Sequence, residues 1–119
     1  MKRLILCADD FGISPGVDEG ILKLVDTKRL TAVSCMVGGA SFREDGEELR
    51  TRRGAIDIGV HLTLTDHSPT NDGSSFLRNG YFPDLSTLWR KALLGHLDPE
   101  EMEREITGQL DAFENVLEG

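Results

Sequence analysis

The sequence predicts an α/β fold built from parallel βαβ units. Short apolar runs alternate with longer amphipathic segments in the order strand, helix, strand, helix, strand, long loop and helix. One glycine pair and several Ser-Pro or Asp-Pro pairs separate these segments, as is typical where strands end and helices begin. Such alternation implies right-handed crossovers and a parallel sheet.

The first strand and the first helix are predicted at residues 4–8 and from Ser14 onward. Residues 4–8 are apolar at every position, which is typical of a parallel strand covered on both faces. Ser14 and Pro15 suit the N-cap and the first position of a helix. One apolar stripe at helical spacing then predicts the buried face: Val17, Ile21, Leu24 and Val25.

Two further strands enclose a charged segment. Residues 31–37 predict the second strand, and residues 41–52 predict a surface helix. Residues 56–64 alternate in polarity, which predicts a third strand with one apolar face and one polar face. The apolar face holds Ile56, Ile58, Val60, Leu62 and Leu64, and the other face holds Asp57, Gly59, His61 and Thr63.

The remaining chain predicts a long loop and one more helix. Residues 65–97 show little regular pattern, which is typical of a ligand-facing loop. Asp98 and Pro99 predict the start of the last helix, with Glu101 at the capping-box position. Its predicted apolar face consists of Met102, Ile106, Leu110, Phe113 and Leu117.

The composition excludes several classes of protein. The 119 residues include 21 acidic and 13 basic side chains, for a net charge of −8. That charge disfavours a general affinity for nucleic acid or for anionic membranes. No apolar run approaches the ~20 residues of a membrane span. The first apolar run is also too short for a signal peptide, which predicts a cytoplasmic protein.

The two cysteines, Cys7 and Cys35, both lie in apolar runs. We expect buried free thiols, because small secreted scaffolds are usually rich in cysteine. A disulfide between adjacent strands is the alternative.

Three polar residues fall at the predicted ends of strands. Asp9 and Asp10 follow the first strand, and His61 lies near the end of the third. Because the carboxyl ends of parallel strands share one edge of a sheet, these side chains can meet in one pocket. In an extended strand the two carboxylates would point to opposite faces. We expect the turn-prone Phe11-Gly12 that follows to bring both into one cavity.

Two carboxylates and an imidazole suit hydrolysis with a divalent metal ion. One carboxylate and the imidazole can bind the ion, while the other carboxylate acts as a general base on water. A structural role is the alternative, since an aspartate pair at a strand end also caps helices or binds backbone amides. A single histidine in a strand also occurs as an ordinary core residue.

Three ordered segments resemble the YdjC-like family, which includes chito-oligosaccharide deacetylases. They are ADDFGISPGVDEGI at 8–21, LTAVSCMVGG at 30–39 and IGVHLTLTDHSP at 58–69. Residues 98–117 resemble a more loosely patterned family helix, and ITGQLDAFENVLEG is similar to the hopanoid-biosynthesis-associated branch.

The resemblance implies a fold, a reaction and a set of site residues. The fold is part of an incomplete (β/α) barrel of the glycoside hydrolase and deacetylase type. The reaction is hydrolysis of N-acetyl groups on amino-sugar oligosaccharides, with a divalent ion, magnesium or zinc, as cofactor. By motif match Asp10 and His61 bind the metal, Asp9 is the catalytic base, and Phe11 and Gly12 contact the substrate.

The chain also departs from the family pattern. Family members are much longer, and an Asp-x-His-x-His block is expected beyond Gly119. His67 and His96 lie in contexts that do not match it. Residues 1–119 are therefore expected to be the truncated N-terminal part of a single deacetylase domain, incomplete on its own. Open strand edges and apolar helix faces in such a fragment predict a homo-oligomer.

Two other functions fit parts of the sequence. A phospho-receiver domain has a similar length, βα alternation and an acidic pair, but Asp57 lies early in its strand and no lysine follows Lys91. A non-catalytic remnant that binds sugar or merely associates is the second alternative.

Overall fold

The computed structural model describes residues 4–118 and confirms the α/β class. Residues 1–3 and 119 of the predicted domain lie outside the described residues. None of the helices within 4–118 is long and apolar enough to cross a membrane. The elements in chain order are β1 (Cys7–Phe11), α1 (Pro15–Asp26), β2 (Ala32–Cys35), α2 (Phe42–Arg50), β3 (Asp57–Val60), α3 (Leu85–Leu93) and α4 (Pro99–Leu117).

The three strands form one parallel sheet, as predicted, and their order in it is β1-β2-β3. Cys7 pairs with Ala32 in the first ladder, and Ala32 in turn pairs with Asp57 in the second. The carboxyl ends of all three strands therefore lie at the same edge of the sheet. Helix α1 packs on β1, α4 packs on β3, and α2 lies against both helices.

The first strand lies three residues later than predicted. Leu4 and Ile5 are exposed and outside any strand, whereas Asp9 and Asp10 lie within β1. The prediction of 4–8 was wrong because apolar content alone does not fix pairing. Hydrogen bonds between the first strand and β2 begin at Leu6, whose carbonyl accepts from the backbone N–H of Ala32.

The core lies between the sheet and the helices, and its strand members include Phe11, Val33 and Cys35. In α1 the buried face comprises Asp18, Ile21, Leu22 and Val25. The predicted stripe was therefore half wrong, since Val17 and Leu24 are partly exposed. The four buried residues do follow the helical spacing i, i+3, i+4, i+7, but the first of them is Asp18 rather than Val17.

Cys7 and Cys35 are free thiols in different surroundings. Cys35 faces the core, and its burial raises its pKa to about 12. Cys7 is exposed, so the prediction of a buried thiol was wrong for this residue. Residues alternate across a strand, and Cys7 lies on the sheet face opposite the core.

Beyond β3 the structure departs most from prediction. The third strand ends at Val60, four residues short of its predicted limit. The predicted loop 65–97 contains α3, which was missed. Its N-cap is Asp84, whose carboxylate accepts a hydrogen bond from the backbone N–H of Thr87 at 2.9 Å. An aspartate before a segment with leucines and a tryptophan at spacing i+4 is the signal that could have predicted it.

Helix α4 begins as predicted but buries a different face. The Asp98 carboxylate accepts a hydrogen bond from the N–H of Glu100. The Glu101 carboxylate accepts one from the N–H of Ser75 and so does not close a capping box. The buried residues of α4 are Glu105, Gln109 and Leu117. Leu110 is partly exposed, so the predicted apolar face is correct only at its C-terminal end.

Candidate active site

A β-bulge in β1 brings the two adjacent carboxylates together. Ala8 pairs with Val33 and Phe11 with Cys35, so two residues of β1 oppose the single residue Ser34 of β2. Asp10 has a φ of +66°, a left-handed conformation that aspartate tolerates better than most residues. The predicted convergence is thus present, but the backbone of Asp10 produces it, rather than the Phe11-Gly12 turn.

Four side chains form a continuous polar row across the strands. The Ser34 hydroxyl donates to Asp9 Oδ1 at 2.7 Å and lies 3.5 Å from His61 Nδ1. His61 Nδ1 lies 3.2 Å from Asp10 Oδ1. The backbone N–H of His61 donates to the Cys35 carbonyl at 2.8 Å, which extends the ladder one residue past β3. Asp9, Asp10 and His61, predicted to meet, do meet in this row.

The row is accessible, and its Asp9 carboxyl is held in the ionised form. The side chains of Asp10 and His61 are 51% and 36% exposed. The hydrogen bond from Ser34 holds the pKa of Asp9 below its ordinary value; partial burial opposes this shift, and the nearby His61 supports it. Asp9 is therefore an anion at neutral pH, which is the form that a general base requires.

Ser34 is a site residue that sequence reasoning missed. It lies between the buried Val33 and Cys35 in β2, so alternation alone places it on the sheet face opposite the core. A polar residue at the central strand, between two strands with candidate site residues, is the signal that could have found it. Its contact with Asp9 depends on the bulge, which the sequence does not reveal.

Asp10 and His61 are suitable types of ligand for a divalent metal ion, but two ligands are fewer than such an ion needs. A carboxylate and an imidazole, both partly exposed and adjacent, are ordinary ligands for zinc, and the carboxylate also suits magnesium. Within residues 4–118, no group of three or more His, Cys, Asp or Glu side chains is arranged to hold a metal ion. Asp10 and His61 thus offer two of the ligands that such an ion needs, and their role as ligands stays a prediction.

Phe11 and Gly12, predicted to contact substrate, have packing roles in the structure. The Phe11 side chain is fully buried in the core. Gly12 has a φ of +100°, and a Cβ there would lie 2.7 Å from Phe42 Cβ and 2.8 Å from the Met36 carbonyl oxygen. A side chain would clash, so glycine is required. Their substrate role stays a prediction that this placement does not support.

A buried carboxylate supports the turn that follows the bulge. Asp18 is fully buried in the first turn of α1. It accepts hydrogen bonds from the Gly12 N–H at 2.7 Å and from the Ser41 hydroxyl. Ser14 is the N-cap as predicted, without a side-chain bond of its own. Asp18 therefore ties the Asp10–Gly12 segment to α1 and to the start of α2, a role the sequence did not suggest.

The chain is similar in sequence to proteins of one known family. The sequence model of the YdjC-like protein family matches residues 3–118. The chain belongs to the YdjC-like family. It is 35% identical over 111 residues to carbohydrate deacetylase 1 of Listeria innocua, covering 92% of this chain and 44% of that protein. It is 33% identical over 120 residues to the human carbohydrate deacetylase, covering 97% of this chain and 36% of the relative.

A solved structure agrees with the fold. A crystal structure from Enterococcus faecalis V583, of a protein named provisionally for cellobiose-phosphate cleavage, superposes with a TM-score of 0.74 at 30% identity. The match covers 94% of this chain and 43% of that one. The fold prediction of parallel βαβ units forming part of an incomplete (β/α) barrel is confirmed. The chain spans less than half the length of these relatives.

Proposed function

We propose that this chain carries part of the active site of a metal-dependent hydrolase that removes N-acetyl groups from amino-sugar oligosaccharides. The observation that carries the proposal is the row in which Asp9, Asp10 and His61 converge on one accessible sheet face. Membership of the YdjC-like family supports it, as do the relatives named carbohydrate deacetylases.

Each residue of the row has a distinct proposed role. Asp10 and His61 hold the divalent ion, magnesium or zinc. A bound ion would polarise the acetamide carbonyl and lower the pKa of water. Asp9 takes the proton from the attacking water. Ser34 and Cys7 both donate to Asp9 Oδ1, at 2.7 and 3.7 Å, so the water is expected to meet Oδ2.

The proposed metal site needs at least one further ligand. Two protein donors bind a divalent ion weakly, and a catalytic zinc site usually has three. We propose that the third comes from a histidine-rich block C-terminal to these residues in a longer polypeptide, or from another copy of the chain. Homo-oligomerisation and a cytoplasmic location stay predictions.

The metal ligands can be tested by calorimetric titration of the chain with Zn²⁺ and Mg²⁺. We expect His61→Ala and Asp10→Asn each to weaken Zn²⁺ binding by about tenfold or more, because each removes a ligand. Asp57→Asn is a matched control, since Asp57 is exposed at the opposite end of the sheet. Equal affinity in all four proteins would contradict the ligand assignment.

The reaction can be tested in a chimaera in which this chain replaces the matching part of the Listeria innocua relative. We expect it to release acetate from N-acetylated chito-oligosaccharides when a divalent ion is added. Asp9→Asn should lower kcat by about 100-fold or more while Zn²⁺ affinity is retained, because only the proton acceptor is lost. Full activity of the Asp9→Asn chimaera would show that Asp9 is not the base.

The alternatives receive different support. Asp57 is the first residue of β3, at the end of the sheet away from Asp9, so a phospho-receiver site is not assembled there. Two metal donors within the described residues favour the non-catalytic remnant as the second candidate. Binding of chito-oligosaccharides without acetate release by the chimaera would support that candidate.

A further inference from the structure

Helix α4 buries two polar side chains that contact the chain segment after His61. Glu105 and Gln109 are 1% and 2% exposed, as buried as core residues. Burying an amide or a carboxylate is unfavourable unless hydrogen bonds compensate. An apolar residue would pack at these positions without that requirement, so their contacts indicate a more specific role.

Gln109 binds both backbone polar groups of Thr63. The Thr63 N–H donates to Gln109 Oε1 at 3.0 Å, and Gln109 Nε2 donates to the Thr63 carbonyl at 2.7 Å. This two-point contact replaces the pair of bonds that a neighbouring strand would make. It lies two residues after His61, beyond the end of β3 at Val60.

Glu105 holds Gln109 in place and fixes the same loop at a second point. Gln109 Nε2 also donates to Glu105 Oε1 at 3.0 Å. The N–H and the hydroxyl of Thr70 donate to Oε1, and the N–H of Asn71 donates to Oε2, each at 3.0 Å. A Cβ on Gly108 would lie 2.4 Å from Thr70 Oγ1, so helix and loop are in direct contact.

His61 is consequently fixed from two sides. Its own N–H is bound to the Cys35 carbonyl of β2, and the residue two positions later is bound to α4. We propose that Gln109, oriented by Glu105, is a positioning residue that holds His61 beside Asp10 and Ser34. This inference rests on the proposed function, in which His61 binds the metal ion. It extends the site to a helix that none of the site residues belongs to.

The decisive variant is Gln109→Met, which keeps the length of the side chain and removes its hydrogen bonds. Residues that orient a metal ligand typically change metal affinity by 10- to 100-fold when replaced, so we expect Zn²⁺ affinity to fall by about tenfold. Hydrogen exchange at the Thr63 amide, measured by NMR, should accelerate by a similar factor. The control is Leu117→Ala, a core change in the same helix, which should lower the melting temperature at least as much but leave Zn²⁺ affinity within about twofold.

Other outcomes are equally informative. If both variants lose Zn²⁺ affinity equally, the effect is general destabilisation and the positioning role is overturned. If the wild-type chain binds no measurable Zn²⁺ without the further ligand, the inference is judged from NMR contacts between the His61 ring and Ser34. Loss of these contacts in Gln109→Met alone supports it, and their retention overturns it. If Gln109→Met does not fold, fast exchange of the Thr63 amide in the wild-type protein, comparable to exposed loops, overturns it.

Discussion

Helices α3 and α4 follow one another in the chain, but α3 exposes apolar side chains and α4 buries polar ones. In α3 the apolar Leu85, Trp89 and Leu93 are 58%, 61% and 77% exposed. In α4, by contrast, the polar Glu105 and Gln109 are almost fully buried. Helix α4 packs on β3 and α2, and the loop after β3 supplies donors for its polar groups. Burial here follows the available neighbours and hydrogen-bond partners rather than hydrophobicity.

The largest effect is expected from Glu105→Ala. It removes the acceptor of the Thr70 and Asn71 N–H groups, and one of the two acceptors of Gln109 Nε2, at a side chain that is 1% exposed. We expect a loss of about 4 kcal/mol in the free energy of unfolding, measured with urea, because unsatisfied buried groups are costly. The matched control is the exposed Glu103→Ala, with a change within about 0.5 kcal/mol. Equal effects would mean that burial of Glu105 contributes nothing.

Leu117→Ala is expected to rank second. Leu117 is buried where α4 meets α2 and belongs to the core cluster. Removing its side chain should cost about 3 kcal/mol, through lost burial and a residual cavity. Urea unfolding of this variant beside Glu105→Ala tests whether a buried carboxylate in α4 is as important as a core leucine. A loss below about 1 kcal/mol would show that the C-terminal end of α4 is loosely packed.

Asp84→Ala should have a smaller effect that depends on pH. Hydrogen bonds from Ser86 and Thr87 hold the pKa of Asp84 well below its ordinary value. A carboxylate with a depressed folded-state pKa stabilises the fold above its unfolded pKa of about 3.9, and this contribution is lost as pH falls further. The variant should lose α3 helicity near neutral pH, and the difference should shrink towards pH 2. Circular dichroism measures both, and a difference that is constant with pH would contradict this account.

The smallest effect is expected from Leu93→Gln on the exposed face of α3. Leu93 is largely exposed, so the free energy of unfolding should change by no more than about 0.5 kcal/mol. Urea unfolding at two protein concentrations tests this. A large loss that depends on concentration would show that a second copy covers the face, as the predicted homo-oligomer would require.

Features set by short stretches of chain were the ones predicted correctly. The helix starts at Ser14-Pro15 and Asp98-Pro99 are found where expected. Proline fixes φ at both starts, and at the second the Asp98 side chain also bonds the N–H of Glu100, so the interactions are local. Helix α3 was missed although it carries such a signal at Asp84, because it spans only nine residues within a region rich in Gly, Asn, Ser and Pro.

Features that depend on the pairing of distant segments were predicted less well. The limits of β1 and β3 were misplaced, since hydrogen bonds with β2 rather than apolar content define them. The buried line of α4 was also misplaced. Glu105 and Gln109 are compatible with the interior only because Thr63, Thr70 and Asn71 provide partners from 34 to 46 residues away.

The sequence by itself determined the parallel α/β fold, the family and the identity of Asp9, Asp10 and His61 as candidate site residues. Alternating polarity and short motifs carry this information, and both are readable along the chain. Only the tertiary structure decided how these residues meet. The bulge at Asp10 and the central position of Ser34 depend on strand register, and register is set by contacts across the sheet rather than along the chain.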